Sequence, residues 1–358
     1  MKPRIGVLTS GGDCPGLNAV LRGVVLAADK LGWEVVGFRD GFEGLLPPGD
    51  HLILDRKSID GIMPLGGTII GTTNRGHFVA KVGAGERTIV PPEVIEHARQ
   101  VLNERGVKTL IIIGGDGSMV TAQQLQEAGI NCIGVPKTID NDLMATEFTF
   151  GFDTALHVAT DAIDRLHTTA ESHHRVMVIE VMGRDAGWIA LHSGLAGGAD
   201  VILIPEIPFT IETVCEAISQ REAHGRAFCL VVVAEGVNLP AHDGLGKPFP
   251  KPQPGQVGNA IGYAIREYLK KEVRVTVLGH VQRGGSPSPF DRTLATRFGV
   301  SAVDLVARGE FGRMVCLRAG KIESVPLADA IGSCKLVDTE SDYVRAARAV
   351  GITFGDRP

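Results

Sequence analysis

The sequence predicts a doubly wound α/β fold with parallel sheets. Short apolar runs alternate with stretches of helical periodicity, which is the order expected of βαβ units. Several of these runs are apolar throughout, as strands covered by helices on both faces are. The chain has 358 residues, a length that favours two domains. The second stretch of α/β character begins near Gly151.

Eight apolar runs are predicted strands, and helical periodicity marks the segments between them. The predicted strands are Ile5–Leu8, Glu34–Phe38, Thr109–Ile113, Cys132–Val135, Val176–Val181, Val201–Ile204, Phe228–Val233 and Arg274–Leu278. The predicted helices are one from about Leu17, then Pro92–Glu104, Ala122–Glu127 and Ala155–Leu166. The segment Gly236–Gly258 holds five of the 19 prolines and is predicted to be a long loop.

Composition excludes several classes of function. The net charge is −5 and aromatic residues make up 5%, which argues against a nucleic-acid partner or an anionic membrane partner. The longest apolar run, Ala227–Ala234, is far shorter than the ~18 residues of a membrane span. An apolar run that starts at Ile5 leaves no room for a secretory signal. We therefore expect a cytoplasmic protein without a membrane partner.

Two glycine-rich turns follow predicted strands and precede helices. Thr9–Gly16 and Gly114–Ser118 can each present backbone N–H groups and a helix dipole to a phosphate. Asp116 stands where a carboxylate can hold Mg²⁺ against that phosphate, and Ser118 can cap the helix or donate to the phosphate. Neither a Gly-Lys-Ser/Thr loop nor a GxGxxG motif is present. The structural alternative for both segments is a tight, capped turn.

A pair of carboxylates follows the next strand, in Pro136–Asp142. If this segment is extended, Asp140 and Asp142 point to the same side. Carboxylates that close need Mg²⁺, Lys or Arg as a partner. One can ligate metal while the other acts as a general base. The structural alternative is an Asx-turn ahead of a helix.

Arginines mark the remaining strand ends. Met182–Arg184 and Gly279–Ser286 each follow a strand, whereas Arg175 and Arg274 stand at the starts of those two strands. Guanidinium groups match phosphate oxygens, although each one alone is as well explained by a surface salt bridge. His280 is placed to contact a sugar hydroxyl. These residues together indicate a phosphoryl transferase that acts on a small phosphorylated acceptor by positioning and electrostatics.

Five motifs in this order resemble the 6-phosphofructokinase family from about residue 4 to about residue 320. They are Thr9–Gly16, Gly114–Ser118, Pro136–Asp142, Met182–Arg184 and His280–Ser286. The resemblance implies two doubly wound, Rossmann-like α/β domains with largely parallel sheets and the active site in the cleft between them. It implies a donor domain of residues 1–151 plus about 281–331, and a fructose 6-phosphate domain of about 152–280 plus 332–358.

The resemblance also implies the reaction, in which fructose 6-phosphate gains a phosphoryl group at its 1-hydroxyl with Mg²⁺ as cofactor. Asp140 is then the general base, while Thr138 and Arg184 steady the transferring group. Asp116 holds Mg²⁺ with the help of Asp142.

The remaining site residues also come from the resemblance. The donor site is lined by Gly12, Arg75, Gly115, Asp116, Gly117 and Ser118. The sugar phosphate is bound by Thr138, Ile139, Asp140, Arg175, Met182, Gly183, Arg184, Glu235, Arg274, His280, Val281, Gln282 and Arg283. In the family, Arg175 and Arg274 reach the site of a neighbouring subunit. We therefore expect a homodimer or homotetramer.

Two positions bear on the phosphoryl donor. Family members that use pyrophosphate have aspartate where this chain has Gly117, so the glycine leaves room for the α-phosphate of ATP. Lys137 is the residue typical of pyrophosphate users. The Gly–Lys pair places the chain in the mixed group of the family and favours ATP, with pyrophosphate as the alternative donor.

Two other classes share part of the pattern. Gly-Gly-Asp-Gly also occurs in NAD kinases and diacylglycerol kinases, but such a kinase leaves the Asp140–Asp142 pair and the His280–Gly285 loop unexplained. A non-catalytic sugar-phosphate binding protein needs neither the Asp pair nor Asp116.

Overall fold

A computed structural model describes residues 2–78, 89–249 and 255–356 of the chain. These residues divide into two compact units. Unit 1 comprises Met1–Ile139, Leu143–Thr154 and Arg283–Cys334, and unit 2 comprises Asp140–Asp142, Ala155–Gln282 and Lys335–Pro358.

Strands and helices alternate along the described part of the chain. The strands are β1 (Arg4–Thr9), β2 (Glu34–Phe38), β3 (His51–Leu54), β4 (Val107–Gly114), β5 (Asn131–Thr138), β6 (Phe150–Gly151), β7 (Val176–Val181), β8 (Val201–Leu203), β9 (Cys229–Ala234), β10 (Val273–Val277), β11 (Arg313–Arg318) and β12 (Lys321–Pro326). The α-helices are α1 (Leu17–Lys30), α2 (Pro92–Glu104), α3 (Asp116–Glu127), α4 (Phe152–His173), α5 (Trp188–Ala196), α6 (Ile211–Ala223), α7 (Val257–Leu269), α8 (Pro289–Arg308) and α9 (Asp342–Ala349).

Unit 1 is built on a sheet of strand order β12-β11-β5-β4-β1-β2-β3, with β6 beside β5. The central strands are parallel, while β3 and β12 pair antiparallel at the two edges. The middle parts of the central strands are buried on both faces, which explains apolar runs such as Leu110–Ile113 in β4. The chain winds outward in both directions from β1 and β4, so their carboxyl ends form the switch point at which ligands bind in such sheets.

Unit 2 is built on a four-stranded parallel sheet of order β10-β7-β9-β8. The register pairs Val178 with Val231 on one side and with Val275 on the other. All four strands run in the same direction, and the loops after β7, β9 and β10 therefore lie together at the carboxyl ends of the strands. The doubly wound α/β fold class with parallel sheets is confirmed.

All eight predicted strands and all four predicted helices are present, with ends shifted by a few residues. The sequence analysis missed β3, β6, β11, β12 and the five helices from α5 onward. The predicted loop Gly236–Gly258 ends where α7 begins at Val257, and its residues 250–254 lie outside the described residues. In the described ranges, every helix is too short or too polar to cross a bilayer.

Candidate active site

The two glycine turns of unit 1 meet at the switch point of its sheet. Ser10 N–H donates to the carbonyl of Ile113 at 2.9 Å, joining the end of β1 to the end of β4. Gly11 N–H donates to the carbonyl of Thr73 at 3.0 Å. Gly11 has a φ of 82°, a conformation that glycine adopts at no steric cost. The predicted donor turns therefore lie side by side, as a phosphate site requires.

Two cations surround the first turn. The Lys137 ammonium donates to the carbonyl of Gly12, although the side chain is almost fully buried. The Arg283 guanidinium donates to the carbonyl of Asp13 at 3.3 Å. A Cβ at position 12 would come within 2.8 Å of Arg283 Nη1, so the arginine lies directly over the glycine. Cations fixed beside backbone N–H groups form a preorganised site for an anion.

The second turn carries Asp116 into the first turn of α3. The helix begins at Asp116 with Gly115 as its N-cap residue, and no side chain caps it. Ser118 lies inside the first helical turn, so the alternative in which Ser118 caps the helix is wrong. A Cβ at Gly114 would collide with the Ser118 side chain, which explains the glycine there. Arg75 lies in an exposed turn, where its N–H donates to the hydroxyl of Thr73.

Asp140–Asp142, here called the carboxylate loop, belong to unit 2 and are buried. Asp140, Asn141 and Asp142 are 5%, 2% and 6% exposed. Strand β5 ends at Thr138, and Asn141 adopts a left-handed conformation with φ 53°. The predicted extended backbone between the two aspartates is therefore wrong, because a left-handed residue breaks the alternation of side chains along a strand. Asparagine is among the few residue types that adopt this conformation readily.

Arg184 lies beside the carboxylate loop. Its Nη1 is 4.0 Å from Asp142 Oδ2, and its Nε is 3.4 Å from Asp185 Oδ2. Its backbone N–H donates to Glu235 Oε1 at 3.0 Å. Gly183 and Arg184 both have positive φ, 141° and 53°, a sharp turn that directs the guanidinium toward Asp142. The structure thus brings together three residues that the sequence placed after three different strands.

A cavity of about 150 Å³ opens in unit 2 at the carboxyl ends of β7, β9 and β10. It is lined by Glu180, Val181, Met182, Glu235, Gly255, Val277, Gly279 and His280. Three predicted sugar-phosphate residues, Met182, Glu235 and His280, are among them. Two others lie differently: Gln282 is fully buried and donates to the carbonyl of Gly279 at 3.1 Å, whereas Val281 is largely exposed.

Glu180 is a residue of this cavity that the sequence analysis missed. It is 1% exposed, and its Oε2 accepts the Gly258 N–H at 2.7 Å. Burial raises the pKa of this carboxyl, and the charge of Glu235 raises it further. Its position in the otherwise apolar strand Val176–Val181 could have identified it from the sequence, because buried carboxyls concentrate at functional sites.

Arg175 and Arg274 lie at the amino ends of β7 and β10, opposite the ends that face the cavity. Both guanidinium groups pair with Glu272. Arg175 precedes the six-residue strand β7 whose far end leads to Met182. A strand of that length spans about 20 Å. Neither arginine is among the residues that line the cavity of unit 2.

The carboxylates suit a hard cation that is shared with a ligand. In the described residues, no group of three or more His, Cys, Asp or Glu side chains is arranged to hold a metal ion. Magnesium binds through one or two carboxylates together with substrate phosphates rather than in an all-protein cage. Asp116 in unit 1 and Asp142 in unit 2 each carry carboxylate oxygens, the type of ligand that Mg²⁺ prefers, so the chemistry of each side chain fits this ion.

The comparisons with known proteins identify the family. A family model described as phosphofructokinase matches residues 4–306. The chain belongs to the phosphofructokinase family. It is 56% identical to an ATP-dependent 6-phosphofructokinase of Chloroflexus aggregans, covering 99% of this chain and 98% of the relative. It is also 50% identical to a pyrophosphate–fructose 6-phosphate 1-phosphotransferase of Amycolatopsis methanolica, covering 94% and 97%.

A solved phosphofructokinase structure from Pichia pastoris, in the T-state, has the same fold. Its TM-score is 0.81 at 32% identity, covering 92% of this chain. This phosphofructokinase-family chain spans 35% of the length of the Pichia chain. The resemblance stated from five motifs is therefore confirmed.

Proposed function

We propose that the protein transfers the γ-phosphoryl group of ATP to the 1-hydroxyl of fructose 6-phosphate. The observation that carries the proposal is the pair of glycine turns at the switch point of unit 1, with Lys137 and Arg283 packed around Gly12. This arrangement suits a polyphosphate rather than a single phosphate, because two cations and a helix N-terminus converge there. Names of full-length relatives at up to 56% identity support the same activity.

Asp140 is the base in this proposal. It follows Lys137 by three residues and is 5% exposed, so its carboxylate acts in a site with little water. It accepts the proton of the sugar 1-hydroxyl as that oxygen bonds to the γ-phosphorus of ATP. The bond from this phosphorus to the β,γ-bridging oxygen breaks, and ADP leaves. Arg184 and Thr138 stabilise the negative charge on the transferring phosphoryl group. The protein supplies position and charge rather than a covalent intermediate.

Asp116 and Asp142 are the carboxylates that we assign to Mg²⁺. The ion, when bound, neutralises charge on the phosphate oxygens. Arg184 places a positive charge beside Asp142, with its Nη1 4.0 Å from Asp142 Oδ2. Arg75 and the residues Gly115–Ser118 are assigned to the donor as predicted.

The donor is proposed to be ATP because Gly117 presents no side chain at the start of α3. An aspartate there would repel an α-phosphate. Pyrophosphate is the second candidate, because Lys137 is typical of its users and the Amycolatopsis relative bears that activity in its name.

The sugar phosphate is proposed to occupy the cavity of unit 2, which Met182, Glu235 and His280 line. Arg283 lies against the donor turn, so its predicted role toward the sugar phosphate stays a prediction. Arg175 and Arg274 stand at the far edge of the sheet. We propose that they complete the site of a second copy of the chain, which makes the enzyme a homodimer or homotetramer.

Unit 1 is accordingly proposed as the donor domain and unit 2 as the sugar-phosphate domain. The cytoplasmic location stays a prediction.

The test is an assay of purified protein with fructose 6-phosphate and Mg²⁺, with ATP and pyrophosphate supplied in separate reactions. Turnover with ATP alone is expected. Turnover with pyrophosphate alone would mean that Lys137 outweighs Gly117. Absence of turnover with both donors would refute the proposed reaction.

A further inference from the structure

The carboxylate loop is held by a residue outside the family motifs. Lys335 lies beyond residues 4–306, the range that the family model matches. Its backbone N–H donates to the carbonyl of Asp142 at 2.8 Å. Its ammonium donates to Asn141 Oδ1 at 3.0 Å. One residue therefore contacts both positions that follow Asp140.

The ammonium bond acts on the most constrained residue of the loop. Asn141 is 2% exposed and has a φ of 53°. A buried side-chain amide needs hydrogen-bond partners, and a bond from a charged donor is about twice as strong as a neutral one. The backbone of Asn141 sets the directions in which Asp140 and Asp142 leave the turn. Fixing the amide of Asn141 therefore fixes both carboxylates.

Lys335 is itself held on several sides. Its carbonyl accepts the Trp188 Nε1–H at 2.7 Å, and its ammonium lies 5.5 Å from the centroid of the same ring. Burial lowers the pKa of the neighbouring His192 to about 4, and the Lys335 charge contributes to this shift. The imidazole is therefore neutral near pH 7, and it adds no second positive charge beside the ammonium.

The residues after Lys335 are also bonded to unit 2, through Glu206. Val337 N–H and Gly187 N–H both donate to Glu206 Oε1, each at 2.9 Å. Gly187 is three residues past Arg184, at the end of the turn that faces Asp142. Residues 335–337 thus tie the carboxylate loop to the end of the Arg184 turn.

We infer that Lys335 is a positioning residue for phosphoryl transfer, which acts through Asn141 to hold Asp140 in the orientation that accepts the hydroxyl proton. The inference rests on the proposed function. In this role Lys335 acts on the carboxylate loop rather than on the substrates, so its loss affects the chemical step more than binding. A displacement of about 1 Å in a catalytic group costs up to about 100-fold in rate.

The test is the Lys335→Met variant of the full chain. Methionine keeps most of the apolar stem, and the two backbone bonds of Lys335 remain. We expect kcat to fall about 10- to 100-fold, with the KM values for both substrates within about threefold of wild type. Lys335→Arg, which restores a charged donor, is expected to recover more than half of the lost rate on a logarithmic scale.

Lys271→Met is the matched control, because Lys271 is also half-buried and pairs with Glu222 elsewhere in unit 2. Its kcat is expected to stay at the wild-type value. A Lys335→Met enzyme with wild-type kcat would overturn the inference. So would a loss of activity that merely follows the folded fraction measured by circular dichroism. Failure of Lys335→Arg to exceed Lys335→Met would also overturn it.

A second variant tests the route through the amide. Asn141→Gly keeps the left-handed backbone without strain and removes the acceptor. It should lower kcat as Lys335→Met does, and the double variant should be no slower than the slower single variant. Multiplicative losses would contradict a shared route. An inactive wild-type enzyme would instead refute the proposed function itself.

Discussion

Gly236→Ala should disrupt the Arg184 turn through a backbone collision. Gly236 follows Glu235, whose side chain holds the Arg184 N–H at 3.0 Å. A Cβ on Gly236 would lie 1.9 Å from the carbonyl oxygen of Arg184, whereas real Cβ atoms essentially never approach below 3.0 Å. The two backbone segments must therefore separate by at least 1.1 Å in total.

The displacement affects Arg184, whose guanidinium is proposed to stabilise the transferring phosphoryl group. A backbone shift forced by one extra methyl group costs about 1–3 kcal/mol of folding stability. A 1 Å error in the position of the Arg184 guanidinium costs up to about 100-fold in rate. We therefore expect kcat/KM for fructose 6-phosphate to fall about 30- to 100-fold, while the KM for the phosphoryl donor changes by less than about threefold.

Steady-state kinetics with fructose 6-phosphate varied at saturating donor measure this loss. Gly246→Ala is the matched control, because Gly246 lies in the same loop with φ 82° and no atom within 4 Å of its added Cβ. It costs stability through its backbone alone and should keep wild-type kinetics. Equal kcat/KM values for the two alanine variants would refute the reasoning that the Gly236–Arg184 approach sets the turn.

Three further predictions concern the base, the donor and stability. Asp140→Asn should lower kcat by about 10²- to 10⁴-fold without weakening the equilibrium binding of fructose 6-phosphate; normal turnover would contradict its role. Gly117→Asp should raise the KM for ATP, and unchanged ATP kinetics would remove Gly117 as a determinant of the donor. Burial raises the pKa of Asp291 to about 6 from an ordinary 3.8. The folded state binds this proton more tightly than the unfolded state does. The free energy of unfolding therefore falls by about 3 kcal/mol as the pH rises from 3.8 to about 6. In the Asp291→Asn variant, the free energy of unfolding measured by urea titration should no longer fall between about pH 4 and pH 7. A pH dependence equal to that of the wild type would contradict the assignment of this fall to Asp291.

Sequence patterns predicted the interior of each sheet better than its edges. Strand β9 and the run Leu110–Ile113 of β4 are buried on both faces and are therefore apolar throughout, a pattern visible without a structure. The edge hairpin of β11 and β12 was missed. Its two-residue turn, Ala319–Gly320, has positive φ at both residues but lacks the Asn-Gly or Asp-Gly signal of such turns. The short strand β3 was missed, and of its four residues Leu54 alone is buried.

The site was predictable where function depends on local backbone. Glycines before Asp116 and the turn Met182–Arg184 are recognisable because close approach to a ligand restricts the residue types. Contacts between distant segments were not predictable. Arg283 lies against Gly12, although the sequence grouped it with His280.

The sequence by itself determined the α/β class, the order of the strands along the chain and the residue types of each phosphate-type loop, because burial and turn geometry act on neighbouring residues. Only the tertiary structure decided which loops meet. It placed Lys137 at the Gly12 turn and Arg184 at Asp142, and it showed that Asn141 is left-handed and held by Lys335. These contacts join residues separated by 42 to 194 positions, and such pairing depends on the packing of whole sheets rather than on any local pattern.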